Sequence, residues 1–226
     1  LTGRIAEMKE IIRISKKYNI PVIEDAAQSI GSKYYGQPSG SFGKVGCFSA
    51  HPLKNLNAIG DCGYLTTNDK NLFISAKKMR NHGLQDRNVV KNFGFLSRMD
   101  VVQAAVLNFR VKKLKKIIAS RRSNAKFYFD SLDRSKFKII DEKKYQFNTY
   151  HTFVVQLDKR DKLREYLFKN NITTTIHYPI PIHLQPAAKK LGYKKGSFKM
   201  AEKQATRILT LPINQFLQEK HIIKIS

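Results

Sequence analysis

Between Arg4 and Tyr18 the apolar residues Ile5, Met8, Ile11, Ile12 and Ile14 recur close to a 3.6-residue period, which predicts an amphipathic helix. The apolar run in "NIPVIED" that follows predicts a short buried strand ending in two carboxylates, Glu24 and Asp25. A helix followed by a strand of continuous apolar character is the unit of a parallel α/β sheet. "YYGQPSGSFG", starting at Tyr34, is dense in Gly, Pro and Ser and predicts turns. "VGCFSAH" from Val45 and "CGYLTT" from Cys62 predict two further strands, separated by the loop "PLKNLNAIGD". Asn68 or Asp69 is placed to cap a helix running to about Arg80, and Gly83 to end it.

Near Asp100 the pattern predicts a longer helix, because Leu107, Val111, Leu114 and Ile118 form a stripe with lysines on the other face. This helix is expected to cross between two domains. Beyond it the pattern predicts a strand in "YHTFVVQL", a helix from Asp161, a strand in "ITTTIHY" and a last helix from about Phe198 to Leu209. Strand, helix, strand and helix of this size suit a smaller α+β domain. There is no internal repeat.

Charge changes the picture less than its size suggests. The 226 residues hold 42 Lys and Arg against 17 Asp and Glu, a net charge of +25, which raises nucleic acid or an anionic surface as a partner. The lysines are scattered as pairs, however, and only "RVKKLKK" from Arg110 approaches a dense patch, with no nucleic-acid-binding motif beside it. Anionic small substrates also gain from such a field. Cys47 and Cys62 form no C-x-x-C pair, so a reducing, cytoplasmic setting is expected. The six histidines are too dispersed for a metal site, and no apolar run reaches the length of a membrane span. The chain starts at Leu1, which suggests processing or a fragment.

Asp25 is expected to end its strand on the carboxyl side of the sheet, where open α/β sheets bind ligands. Because strand side chains alternate, Glu24 and Asp25 cannot both enter one pocket. If a helix follows, Asp25 and Gln28 share a side. A carboxylate there can serve a ribose hydroxyl, a metal, a protonated ring nitrogen, or simply the cap of the next helix. Lys54, flanked by Pro52, Leu53 and Leu56, is either a surface lysine or an amine nucleophile made usable by partial burial. Ser49 offers a hydroxyl to a phosphate, or merely closes its strand.

The stretches "VIEDAAQSIGSKYYG", "GSFGKVGCFSAHPLKNLNAIGDCGYLTTND", "MRNHG", "SRMDVVQAAVL" and "HYPIPIHLQPA", in this order, resemble the DegT/DnrJ/EryC1/StrS family of pyridoxal-phosphate sugar aminotransferases nearly end to end. The resemblance implies an α/β fold of the aspartate-aminotransferase type. That fold has a three-layer large domain with a mostly parallel sheet, of which residues 1–118 would be the remainder, and a smaller α+β domain at 119–226. It implies a cytoplasmic homodimer that transfers an amino group, usually from glutamate, to a nucleotide-linked keto-sugar for surface polysaccharide or another glycosylated product. Lys54 matches the Schiff-base lysine and Asp25 the carboxylate beside the pyridine nitrogen. Gln28 matches the residue near the ring oxygen, and Ser49 a phosphate ligand. Asn81, His82 and His177 resemble residues of the substrate region or, equally, packed structural ones. A lysine rather than a histidine at position 54 implies transamination rather than dehydration.

Two departures accompany the match. Leu96 stands where most members carry an Asn for the cofactor phosphate of the partner subunit, and Cys62 where a Gly is common. "LTGRIAEMKEI" resembles a segment midway through the large domain, so the chain is expected to be an N-terminally incomplete copy with exposed apolar faces. The rival expectations are a non-catalytic remnant or regulatory partner of the same fold, and, on charge alone, an anion- or nucleic-acid-binding module.

Overall fold

The computed structural model describes all residues, 1–226. In chain order the helices are α1 (Met8–Tyr18), α2 (Lys70–Met79), α3 (Val101–Val111), α4 (Leu114–Ser131), α5 (Arg160–Lys169), α6 (Lys199–Ala205) and α7 (Glu219–Ile225). The strands are β1 (Ile23–Asp25), β2 (Lys33–Tyr34), β3 (Gln37–Pro38), β4 (Val45–Ser49), β5 (Gly63–Thr66), β6 (Lys138–Ile139), β7 (Gln146–Phe147), β8 (Phe153–Gln156) and β9 (Ile208–Leu211). They divide into two units, one comprising Gly3–Ile118 with Lys143–Thr149, the other Ala119–Glu142 with Tyr150–Ser226.

In the first unit, α1 starts at Met8, later than the Arg4 expected, and of the predicted stripe Ile5 and Met8 are buried while Ile11 and Ile14 are exposed. It ends at Asn19, whose left-handed backbone (φ 51°) directs its N–H back to the carbonyls of Ser15 and Lys16. Met8 packs with Ile5 and Tyr34 in a small cluster. The Glu7 carboxylate ahead of α1 accepts from the Lys143 ammonium (3.0 Å) and from the hydroxyls of Tyr34 (3.2 Å) and Tyr145 (3.1 Å). It ties the helix start to β2 and to the Lys143–Thr149 segment.

β1 departs from the apolar strand expected. Ile23 is 69% exposed, while Glu24 is buried. Alternation along the strand sends Glu24 alone inward, and a buried carboxylate is tolerated only when hydrogen-bonded. Its oxygens accept the backbone N–H groups of Gly40 (2.8 Å), Phe42 (2.5 Å) and Gly43 (2.7 Å). The turn predicted around Tyr34–Gly43 thus wraps one carboxylate. Gly43 is required there, because a Cβ would run into the Val22 carbonyl.

The main sheet has the order β1-β4-β5. β1 and β4 are parallel with Asp25 opposite Cys47, whereas β4 and β5 are antiparallel with Ser49 opposite Gly63. The loop joining β4 to β5 contains no crossover helix, so only the antiparallel return is open to it. A second small sheet has the order β3-β2-β7. α2 is capped as the sequence suggests: Asp69 accepts from the N–H groups of Asn71 and Leu72, both at 3.0 Å.

The single long helix expected from Asp100 is instead two, α3 and α4, interrupted at Lys112–Lys113. Leu107 and Ile118 of the expected stripe are buried but Val111 between them is exposed, so burial does not support one continuous face. α4 then runs on to Ser131.

The second unit is built on the antiparallel sheet β6-β8-β9. Its core holds Tyr128, Val155, Leu209 and Ile222, all fully buried. Two expectations fail here. The last helix stops at Ala205, and Ile208–Leu211 is a strand paired along Phe153–Gln156, because a short apolar run fits either period and the sheet offers the better burial. "ITTTIHY" contributes a single bridge, Thr175 to Thr210, since Pro179 and Pro181 just beyond it lack the N–H a ladder needs. α7, in the final stretch of the chain, buries Ile222. The Arg121 guanidinium donates to the carbonyls of Tyr150 (3.1 Å), His151 (3.1 Å) and Ile213 (3.2 Å), and burial pushes its pKa down to about 10. No helix is long and apolar enough to cross a membrane.

Replacing Glu24 by Gln sets an NH2 group against backbone donors that now meet an anion. The expected result is a loss of about 1.5–3 kcal/mol in urea denaturation, with faster amide exchange at Gly40, Phe42 and Gly43. Unchanged exchange at these three amides would show that the carboxylate does not hold the turn.

Candidate active site

Because β1 and β4 run parallel, their carboxyl ends coincide, and they carry Asp25 and Ser49 respectively. Asp25 is on the solvent side of its strand, opposite to Glu24. Its Oδ1 accepts the N–H of Ala27 (3.1 Å) at a turn that is closed by the Ser29 N–H to the Ala26 carbonyl (3.1 Å). No helix follows, so the cap reading reduces to a turn, and Gln28 sits half-buried within it. Ser49 Oγ accepts the His51 N–H at 3.3 Å, which leaves its own hydroxyl hydrogen free to donate.

Lys54 lies in the loop between β4 and β5, and that loop is closed on itself. The Ala50 N–H reaches the Cys62 carbonyl and the Ala58 N–H reaches the Ala50 carbonyl, both at 2.8 Å, while the Lys54 N–H bonds the His51 carbonyl at 2.9 Å. Asn57 donates its amide to the Pro52 carbonyl at 2.7 Å. His51 Nδ1 accepts the Leu53 N–H (3.1 Å), so the ring proton sits on Nε2, which is 3.6 Å from Asp61. Ala50, Leu56 and Ala58 anchor the loop in a buried cluster with Leu107. Leu53 points outward, and Lys54 is half-buried. Burial holds the Lys54 amine below the ordinary lysine range, and the charge of Asp25 pulls it partly back. The Lys54 and Asp25 side chains therefore lie within electrostatic reach of each other.

Asn81 and His82 occupy the turn after α2. His82 has a left-handed backbone (φ 58°) and donates its N–H to the Phe95 carbonyl at 2.9 Å; a Cβ on Gly83, also left-handed, would collide with the Asn92 carbonyl. Both residues line an open cavity of about 640 Å³ with Lys77, Lys78, Arg87 and Arg98. None of Asp25, Gln28, Ser49 or Lys54 lines it. Leu96 is largely exposed and bridges Asn81 through the backbone. His177 belongs to the second unit, where its Nδ1 lies 2.9 Å from Thr210 Oγ1 and burial lowers its pKa. No group of three His, Cys, Asp or Glu is placed to hold a metal ion.

Sequence reasoning did not single out Asn55, Gln103 and Arg110, which touch the Lys54 loop or its anchors. For Gln103 and Arg110 the available signal was their spacing on α3, where with Leu107 they share one helix face.

This chain is 36% identical over 223 residues to "Pleiotropic regulatory protein" of Geobacillus stearothermophilus, covering 97% of this chain and 60% of that protein. It is 35% identical over 227 residues to "UDP-N-acetyl-3-dehydro-alpha-D-glucosamine 3-aminotranferase" of Acidithiobacillus ferrooxidans, covering 100% of this chain and 61% of that protein. Among solved structures, S. venezuelae DesV in complex with ketimine intermediate superposes with a TM-score of 0.94 at 31% identity, over 100% of this chain and 62% of that one. The chain thus spans about 60% of the length of the relatives it matches. With residues 1–226 matched throughout, it belongs to the DegT/DnrJ/EryC1/StrS aminotransferase family.

Proposed function

We propose that this chain is the lysine-bearing part of a pyridoxal-phosphate-dependent aminotransferase that aminates a nucleotide-linked keto-sugar for amino-sugar biosynthesis. Glutamate as donor, a cytoplasmic homodimer and a product destined for surface polysaccharide complete the reading. The observation that carries it is the half-buried Lys54 amine, held low by burial and within reach of the Asp25 charge at the carboxyl edge of the sheet.

The residues present fit the cofactor. A primary amine with a lowered pKa suits an aldehyde, a carboxylate suits a protonated ring nitrogen, and the free hydroxyl hydrogen of Ser49 suits a phosphate oxygen. Gln28, in the turn beside Asp25, is assigned to the ring oxygen. When bound, pyridoxal phosphate supplies a ring that accepts the electron pair released at the substrate carbon. Lys54 Nζ would hold the cofactor and would move a proton between two carbons during the transfer. Partial desolvation makes the ammonium form of that amine easier to deprotonate. The Asp25 carboxylate favours a positive charge at the nitrogen it partners. Asn81 and His82 belong to the substrate region in this reading. The four cations around them, Lys77, Lys78, Arg87 and Arg98, supply the field that a nucleotide diphosphate requires. His177, in the second unit, is a proposed substrate residue whose charged form burial disfavours.

The regulatory name of the G. stearothermophilus relative favours one second reading, a non-catalytic partner that keeps the fold. Adding pyridoxal phosphate to the purified gene product discriminates the two. The first reading expects a visible absorption band that Lys54→Ala abolishes; a band indifferent to that substitution, or none in the parent protein, sinks it.

The pH dependence of Lys54 supplies an independent check, read by acylation of the amine with a small reagent and mass spectrometry. Its midpoint is expected below the ordinary lysine range. Because the Asp25 charge favours the ammonium form, Asp25→Asn is expected to move the midpoint further down. An upward shift contradicts the pairing of these two groups.

A further inference from the structure

Three contacts reach the Lys54 loop from elsewhere in its unit. Arg110 of α3 donates one guanidinium nitrogen to two consecutive loop carbonyls, Asn57 at 2.8 Å and Ala58 at 3.2 Å. Gln103 of the same helix accepts the N–H of Ile59 at 2.9 Å. Asn55, directly after Lys54 and itself buried, donates to the Thr149 carbonyl at 3.1 Å. The helix period accounts for the first two, since Gln103, Leu107 and Arg110 are spaced i, i+4, i+7 and therefore share one face. Leu107 on that face packs in the buried cluster with Ala50, Leu56 and Ala58 of the loop. The approach is close, for a Cβ on Gly60 would lie 2.6 Å from Gln103 Nε2.

We infer that Arg110, with Gln103, is a positioning residue that fixes the Lys54 amine at the edge of the main sheet. The loop backbone has no helix or ladder of its own between Ser49 and Gly63, so its carbonyls need partners from outside. A guanidinium is suited to the task because it holds two acceptors in a fixed plane, which a lysine ammonium does not reproduce. Arg110 reaches the carbonyls on the far side of Lys54 from β4, while the loop's near end is held by Ala50 against Cys62. Fixing both ends gives the lysine side chain one backbone origin at the edge of the sheet.

The inference rests on the proposed role of Lys54 but is tested without the cofactor. In Arg110→Ala, amide exchange at Ala58 and Ile59 is expected to rise about tenfold or more. The acylation midpoint of Lys54 is expected to move up toward that of exposed lysines, because a loosened loop lets the amine hydrate. Arg110→Lys restores charge without the planar fork and is expected to recover only part of the shift. A Lys54 midpoint that stays at the parent value in folded Arg110→Ala overturns the inference. Should Arg110→Ala fail to fold, Gln103→Ala is read in the same way, and an unchanged midpoint there overturns it equally. Failure of pyridoxal phosphate to give a band with the parent protein would instead sink the proposed reaction and leave this result standing.

Discussion

The buried carboxylate of Glu24 organises the sheet that carries the site. A charge inside the protein is tolerated only when nearly every lone pair finds a donor, and here three backbone N–H groups, those of Gly40, Phe42 and Gly43, converge on it. That requirement bends the glycine-rich turn around one point and presses Gly43 against the Val22 carbonyl. Gly40 is left-handed and lies under the Phe48 ring, which in turn stacks on Tyr64 at 5.0 Å. Through these contacts β1, β4 and β5 share one arrangement. Its functional consequence is indirect: with Glu24 pinned inward, the alternation of the strand leaves Asp25 no choice but the opposite side.

At the site itself two effects oppose each other. Removing water from the Lys54 ammonium lowers its pKa, and the negative charge of Asp25 raises it. Desolvation is the larger, so the net direction is down. The balance is sensitive to depth, since a Coulomb term across a partly wet edge changes slowly with distance whereas hydration changes abruptly when a side chain emerges. A loop anchored by Ala50, Leu56 and Ala58 and gripped from α3 fixes the backbone from which the lysine reaches that edge.

Local signals were the legible ones. Asp69 caps α2 because its side chain needs only the two amides that follow it, and the turn at Gly40–Gly43 announces itself by composition. Signals that depend on what lies opposite were misread. Ile208–Leu211 has the same apolar content as a helix end, and only the presence of Phe153–Gln156 beside it makes it a strand. The helix stripe through Val111 looked continuous, yet nothing buries that residue, and the helix breaks just beyond it. In α1 the stripe is real and largely uncovered, with Ile11 and Ile14 exposed.

The sequence by itself determined the chemical inventory: a lysine in an apolar loop, two adjacent carboxylates after a short strand, an amide and a hydroxyl near them, and the order of motifs that marks the family. It also determined that only one of Glu24 and Asp25 can face a ligand, because side-chain alternation is a property of any strand. The family resemblance pointed to Asp25 as the one that faces a ligand, and tertiary structure decided what the inward Glu24 holds. Tertiary structure likewise decided that Arg110, distant along the chain, grips the carbonyls beyond Lys54. The reason is that alternation and capping act between neighbours in the chain, whereas the partners of a buried charge or an open loop carbonyl are chosen by whatever the fold brings alongside.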